Sequence, residues 1–424
     1  MISHGLPKMT SLAQPGTPNR AVTDDDSLTR DALMYLPAWQ GLGLREMWAD
    51  SGKEGLPFPL NAPNTTYFHT ARSAIYHIVR ELVNSGRHVV LMPDYHMGNE
   101  VRAVLYAGAQ IVWYPVTREF GIDMAVLRRL CREGGAQVLF VIHYAGWPHP
   151  MDQLNALCAE HGLLLVEDCA LALLSGVDAR SVGTYGDYAI FCLYKTLPLP
   201  DGGVLVQKRH VFDDLTRLPL QRSGRMFVAG RIAELGLERF RIRYPRVGRR
   251  LFDVKQGIGR FLNALRVERI PVGDTGFNPS HVNVGMSSWS RRVLTGLDYE
   301  SIRRRRRENF IALREQLPAQ AAVRTDLPPG VCPLFFPLLV ADKSGASRAL
   351  RQRGVMATEL WNEGDPSVAG HEGEDARFLR RHVLELPIHQ DITNPHIEYM
   401  ARQVGKLNVL LPSSSTIRAE YQTA

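Results

Sequence analysis

Polar residues stand at the ends of several apolar runs in this chain, and their types suggest one site. Lys195 follows YAIFCLY (Tyr188 to Tyr194) and is the only lysine between Lys53 and Lys208. Asp168 closes GLLLVED one strand–helix unit earlier. Asp94, Tyr95 and His96 follow HVVLMP, while His143 and Tyr144 follow VLFVI. A lysine amine can form a Schiff base with an aldehyde, and a buried carboxylate can keep a ring nitrogen protonated. The helix starting near Thr70 presents free N–H groups and a dipole to an anion, with Thr70, Arg72 and Ser73 as further donors. Tyr95 or His96 can stack on a flat ring, and His143 can touch the ring or its substrate. Each residue has an ordinary counterpart reading, such as a strand-terminal lysine, a salt-bridge acid or a core histidine. A lysine amine, a carboxylate, a phosphate cup and a ring clamp are what pyridoxal 5'-phosphate chemistry needs, and a candidate for each stands at a strand end. No metal-ligand spacing accompanies them.

These residues need a scaffold that gathers strand ends, and the pattern supplies one. From about residue 67 to 207, short apolar runs alternate with helical patterns. Ile75, Ile78, Val79 and Leu82 recur at helical spacing after Thr70. HVVLMP, QIVWYPV, VLFVIHYAGWP, GLLLVEDCA, YAIFCLYK and GGVLVQ are continuous apolar runs. Runs of this kind indicate a mainly parallel sheet covered on both faces, in which ligands bind beyond the carboxyl ends of the strands. Farther on, PLFFPLLVA, a helix near 343–353, LELPIH and a final helix near 395–407 suggest a smaller α+β unit. The expected division is an N-terminal arm (1–60), a large cofactor-binding domain (61–285) and a small C-terminal domain (286–424).

At 424 residues with 45% hydrophobic and 22% charged residues, the composition is that of a soluble globular protein of two domains. The first residues lack an apolar signal core, so a cytoplasmic location is expected. Five scattered cysteines without a CxxC pair argue for reduced, buried thiols rather than disulfides or zinc. The net charge of +7 is concentrated. Between Arg209 and Ile270 there are fourteen Arg and one Lys against six acidic residues. This stretch reads as a basic insertion (209–270), either solvated over the site's mouth or meeting a membrane or carrier protein. A local bias of this kind does not call for nucleic acid. The run Arg303 to Arg307 is expected to be a solvated helix face.

Several blocks, in order, resemble the DegT/DnrJ/EryC1/StrS aminotransferase family of fold-type-I pyridoxal-phosphate enzymes. They are FHTARSAIYHIVREL, HVVLMPDYHMGNEVRAVLYAGAQIVWYPV, VIHYAGWPHPMDQLNALCAEHGLLLVEDCALALLS, GTYGDYAIFCLYKTLPLPDGGVLV, GFNPSHVNVGMSS and LPIHQDITNPHIEYMARQV. The resemblance spans roughly residues 60–410, interrupted by 209–270. It implies an α/β fold of aspartate-aminotransferase type with pyridoxal 5'-phosphate on Lys195. Asp168 would sit at the pyridine nitrogen. Thr70, Ala71, Arg72 and Ser73 would surround the phosphate, and Cys192 would precede the lysine block. Asn283 would come from the second subunit of a homodimer with shared active sites. The family's substrates imply an amino-acid donor and a keto sugar. The chain is a divergent member on these residues: the usual Gly-Thr is Ala71-Arg72, the usual Gln is Leu171, the usual Ser is Cys192, and a frequent Arg is Gly285. Other readings are a non-sugar substrate on the same cofactor, or a binding protein that has kept the fold and works through the basic insertion.

Overall fold

The computed structural model describes residues 34–43, 46, 55–133, 135–245, 247 and 276–407. Most of the expected arm, residues 248–270 of the basic insertion and the C-terminal tail lie outside the described residues. In chain order, β1 (Thr65–Phe68) leads into α1 (Ala71–Asn84), then β2 (Val89–Pro93), α2 (Asn99–Tyr106), β3 (Gln110–Tyr114) and α3 (Met124–Glu133). They are followed by β4 (Val138–Ile142), α4 (Met151–His161), β5 (Leu164–Asp168) and a small hairpin, β6 (Gly176–Val177) and β7 (Arg180–Ser181). Next come β8 (Tyr188–Cys192), the one-turn α5 (Leu193–Thr196), β9 (Gly203–Gln207), α6 (Asp213–Thr216) and α7 (Arg225–Arg243). The remainder is α8 (Ser288–Leu294), α9 (Tyr299–Gln316), β10 (Phe336–Leu339), α10 (Lys343–Gln352), β11 (Thr358–Glu359), α11 (Glu374–His382), β12 (Val383–Leu386) and α12 (Asn394–Gly405).

Seven strands form the main sheet in the order β1-β9-β8-β5-β4-β2-β3, and three more form a second sheet, β10-β12-β11. Pairs β2–β3, β2–β4, β4–β5 and β5–β8 are parallel, whereas β9 runs antiparallel to both β8 and β1. All five residues of each of β4, β5, β8 and β9 are buried. Strands that bury both faces have no polar side to alternate with, which is why their sequences read as continuous apolar runs. Edge strand β3 is mostly half-exposed. In α1, Ile75, Ile78, Val79 and Leu82 are buried, as their spacing requires, and they cover one face of the sheet. One apolar core runs continuously from this sheet to β10 and β12. All five cysteines are buried and unpaired. No helix among the described residues is long and apolar enough to cross a membrane.

The arginine run departs from expectation. Arg306 is 1% exposed, because helical periodicity puts it on the same stripe of α9 as buried Ile302, Phe310 and Leu313. Its guanidinium donates to the carbonyls of Leu334 (2.8 Å) and Thr196 (3.2 Å) and to Oε1 of Gln40 (3.2 Å). Burial pulls its pKa down to about 10. The solvated reading holds fully only for Arg304.

Candidate active site

The carboxyl ends of β2, β4, β5 and β8 open into a cleft whose lining includes Arg72, Glu100, Asp168, Cys192, Lys195 and Trp361. Lys195 and Asp168 thus face one cavity, although 27 positions of sequence separate them. Strand β8 stops at Cys192, where the N–H of Leu193 bonds to the carbonyl of Gly202 (2.9 Å). The chain then makes a single helical turn, and the half-buried Lys195 stands on that turn rather than at the strand's last position.

Asp168 is 5% exposed, and one of its oxygens accepts from the N–H of Ala170 (2.9 Å). Burial pushes its pKa up, against the lowering effects of the Ala170 N–H, Lys195 and His143. A buried carboxylate with so little neutralisation favours a cationic partner, and a protonated ring nitrogen is one. The neighbouring Glu167 plays a structural part. Its carboxylate accepts from the N–H groups of Gly183 (2.8 Å), Tyr185 (2.9 Å) and Gly186 (2.5 Å). His143 lies behind this pair. Its Nε2 contacts Glu167 at 3.2 Å, and its Nδ1 accepts from the N–H of His149 at 3.2 Å, so both ring nitrogens are occupied within the protein. The acceptor role of Nδ1 places the His143 proton on Nε2, directed at Glu167. Burial opposes ionisation of Glu167, but the His143 bond and these amides hold its pKa below the usual range.

The start of α1 suits an anion. Thr70 occupies the N-cap position with extended backbone, yet its side chain caps no backbone N–H; its Oγ1 instead meets Oγ of Ser73 at 3.3 Å. The first-turn amides therefore lack a side-chain cap, which is the arrangement that receives phosphate groups. Ala71 and Arg72 line the cleft, while Ser73 is buried on the far side and leans toward the carbonyl of His281 (3.4 Å). Gly203 packs against this turn so tightly that a Cβ there would lie 2.2 Å from the Thr70 carbonyl carbon. Aldehyde-reactive lysine, buried carboxylate, uncapped helix start and apolar walls (Ile75, Met97, Leu171) fit pyridoxal 5'-phosphate.

Some expected residues stand elsewhere. Tyr95 is fully buried against Phe120, Tyr144 and Trp361, and His96 stacks on Trp113 at 5.2 Å. Burial lowers the His96 pKa to about 3. The structure brings neither ring to the cleft wall; Met97, one residue later, reaches it. Asn283 is exposed beside α1, its carbonyl accepting from the N–H of Gln221 (2.8 Å), and it does not line the cleft of its own chain. Asn99 and Glu100, in the first turn of α2, do line it, as does Trp361. Continuing past Gly98 to the helix start would have found the first two. Trp361 carries no local signal, since only the tertiary fold returns it to Lys195.

Behind the cleft lies a second buried network. Asp201 accepts from Nδ1 of His69 (3.1 Å), Oγ of Ser223 (3.0 Å), the N–H of Ser287 (3.0 Å), Oγ of Ser287 (2.8 Å) and Oγ of Ser290. It ties the loop after Lys195 to the segment leading into α1, because the N–H of Gly202 also bonds to the carbonyl of His69 (3.0 Å).

The sheet order and the cleft define an α/β protein of aspartate-aminotransferase type. It superimposes on an aminotransferase from Brucella abortus with a TM-score of 0.60 at 14% identity, covering 82% of this chain and 86% of that one. The Helicobacter pylori aminotransferase PseC gives a TM-score of 0.60 at 14% identity, covering 88% and 98%. Residues 71–226 match the model of the DegT/DnrJ/EryC1/StrS aminotransferase family. GDP-perosamine synthase of Vibrio cholerae is 29% identical over 128 residues, 30% of this chain and 35% of that protein. A UDP-N-acetyl-3-dehydro-alpha-D-glucosamine 3-aminotransferase of Acidithiobacillus ferrooxidans is 31% identical over 126 residues, 28% and 32% of the two chains. A dTDP-4-dehydro-2,3,6-trideoxy-D-glucose 4-aminotransferase of Saccharopolyspora spinosa is 26% identical over 199 residues, 46% and 50%. The chain spans a third to a half of the length of these relatives.

Proposed function

We propose that the protein is a pyridoxal-phosphate-dependent aminotransferase that moves an amino group from an amino acid such as glutamate to a keto sugar carried on a nucleotide. The observation that carries this reading is the joint placement of Lys195, Asp168 and the uncapped start of α1 around one cleft. The matched relatives, whose names describe transfer to nucleotide-linked keto sugars, support the substrate class.

When bound, the cofactor supplies an electron sink that stabilises negative charge on the substrate carbon. Asp168 holds a proton on the ring nitrogen and so keeps that sink effective. The α1 amides and Arg72 hold the phosphate. The Nζ of Lys195 would hold the cofactor's aldehyde carbon and, when free, would serve as the base and then the acid that moves a proton at the substrate carbon. His143 orients the Glu167–Asp168 strand end from behind. The division into arm, large and small domains belongs to the same proposal. So do a cytoplasmic location and a homodimer in which Asn283 reaches the neighbouring subunit's phosphate.

The test is spectroscopic. Wild type purified with cofactor should show the visible absorbance of lysine-bound cofactor, glutamate should remove it, and a nucleotide-linked keto sugar should restore it. Lys195→Ala should lack the absorbance from the start. An unchanged spectrum in that variant, or indifference of the wild type to every amino donor, refutes the assignment.

A further inference from the structure

Trp361 lies in the segment between β11 and α11, remote in sequence from the cofactor residues, yet it forms part of the same cleft wall as Lys195, Met97 and Asn99. Its backbone is in the left-handed region, φ 43°, which a bulky residue adopts only when its surroundings force it. Arg380 provides that constraint. Its Nη1 donates to the carbonyls of Trp361 (3.1 Å) and His96 (2.8 Å), and its Nη2 donates to the carbonyl of Asp94 (3.3 Å). Its Nε pairs with Glu372, and the guanidinium lies 5.2 Å from the Tyr95 ring centre. One buried cation thus fastens the Trp361 segment to the end of β2. The following turn passes so close that a Cβ on Gly364 would lie 2.6 Å from Nη2 of Arg380. One side of the indole is backed by Tyr95 (ring centres 5.1 Å apart) and Tyr144 (5.9 Å). The residue is only half-buried, so part of the ring remains open.

A strained, braced and partly open indole in a cleft is a binding surface held ready. The cofactor assignments above make no use of it, nor of Asn99 and Glu100, each 7% exposed on the same lining. Glu100 already accepts from the N–H of Met97 (2.8 Å), which fixes its carboxyl in place. A pyranose ring presents C–H groups on its faces and hydroxyls around its edge, and so matches an aromatic face bordered by an amide and a carboxyl. We infer that Trp361 is the specificity-determining residue for the acceptor, stacking its indole on the sugar ring with Asn99 and Glu100 at the hydroxyl edge. This rests on the aminotransferase reading given above.

The experiment uses the cofactor-loaded enzyme and three non-reacting probes: UDP-N-acetylglucosamine, GDP-mannose and dTDP-glucose. Binding is read by tryptophan fluorescence and, for variants, by calorimetry. At least one probe should quench wild-type fluorescence, and the quench should be lost in Trp361→Phe. Trp361→Ala should weaken binding of that probe about 2- to 13-fold, the range of an aromatic stacking contribution, while Trp361→Phe stays within about threefold of wild type. In Trp361→Ala the rate of the glutamate-driven absorbance change should fall by a smaller factor than probe binding does. Three results overturn the inference: no probe binds the wild type, Trp361→Ala binds as wild type does, or the glutamate step falls in parallel with probe binding. Should Trp361→Ala fold poorly, Trp361→Leu keeps an apolar filler, and its affinity must still fall below that of Trp361→Phe. A wild type that ignores all amino donors would instead remove the aminotransferase reading, whatever the probes show.

Discussion

Removing the Asp201 carboxylate tests whether the network behind the cleft holds the fold and the phosphate-binding turn together. Asp201 is 0% exposed. In Asp201→Ala the hydroxyls of Ser287 and Ser290, 2.9 Å apart, can satisfy one another. The N–H of Ser287 cannot turn elsewhere, and His69 loses the carboxylate at its Nδ1. One stranded donor at about 1–3 kcal/mol, the lost His69 bond at about 0.5–1.5 kcal/mol (its Nδ1 keeps the Ser223 hydroxyl at 3.0 Å) and a small cavity give a loss of about 3–5 kcal/mol. Asp201→Asn should lose only about 1–2 kcal/mol, because its amide can face the two hydroxyls while its oxygen still serves His69, Ser223 and Ser287 N–H. At no more than about 2 °C per kcal/mol for a chain of this size, thermal melts should fall by up to about 10 °C in the alanine variant. Burial opposes ionisation of Asp201, but bonds from His69, Ser290 and Ser287 outweigh it and hold the pKa below the usual carboxylate range. A depressed carboxylate stabilises above its unfolded pKa of about 4 and loses that contribution as pH falls through the folded value. The difference between wild type and Asp201→Ala should therefore be constant from about pH 5 to 8 and narrow below about pH 4. Equal stability of wild type and Asp201→Ala, or an asparagine variant as weak as the alanine one, would refute the reasoning.

Gly203→Ala forces a methyl group into the Thr70 carbonyl carbon, so it should displace the start of α1 and cut cofactor retention on gel filtration severely. Retention equal to wild type would show that the turn yields freely. Leu171→Gln places at the cleft wall the glutamine that the family resemblance implies there, and should slow cofactor dissociation about 2- to 10-fold, the worth of one hydrogen bond; faster loss would mean the position has no polar partner on the cofactor. Lys343 is 5% exposed, donates to the carbonyls of Leu360 (2.5 Å) and Arg380 (2.7 Å), and is pulled down to about 8 by burial. Between about pH 8 and 10.4 the unfolded chain binds a proton that the folded chain has released, so wild type should gain on the order of 3 kcal/mol of stability across that window. Lys343→Met should flatten the gain in urea titrations run at each pH, and a slope identical to wild type would exclude it.

The sheet was legible because strands buried on both faces are written as unbroken apolar runs, and β4, β5 and β8 carry theirs up to the site. Lys195 was legible from its isolation among lysines, and Asp168 from its place at the end of LLLVED. Orientation was not. Tyr95 and His96 share a strand end with Met97, and nothing in the residue types says which of the three turns into the cleft. The antiparallel course of β9 left no mark either, because a central strand of either direction is apolar throughout. Arg306 was misread because a run of five arginines masks the helical period that buries one of them. Trp361 and Asp201 depend on contacts between segments distant in sequence.

Glu167 and Asp201 bear on what happens when cofactor is scarce. Each is neutralised by donors of the protein itself, so the frame behind the cleft does not need a ligand to stand, and Asp168 alone of these acids faces the cavity. Cofactor loading is then a filling of a prepared frame rather than a folding step. Protein made while the proposed cofactor is scarce should accumulate as an intact, empty form, resist proteolysis, and regain its colour on later supply without being synthesised again.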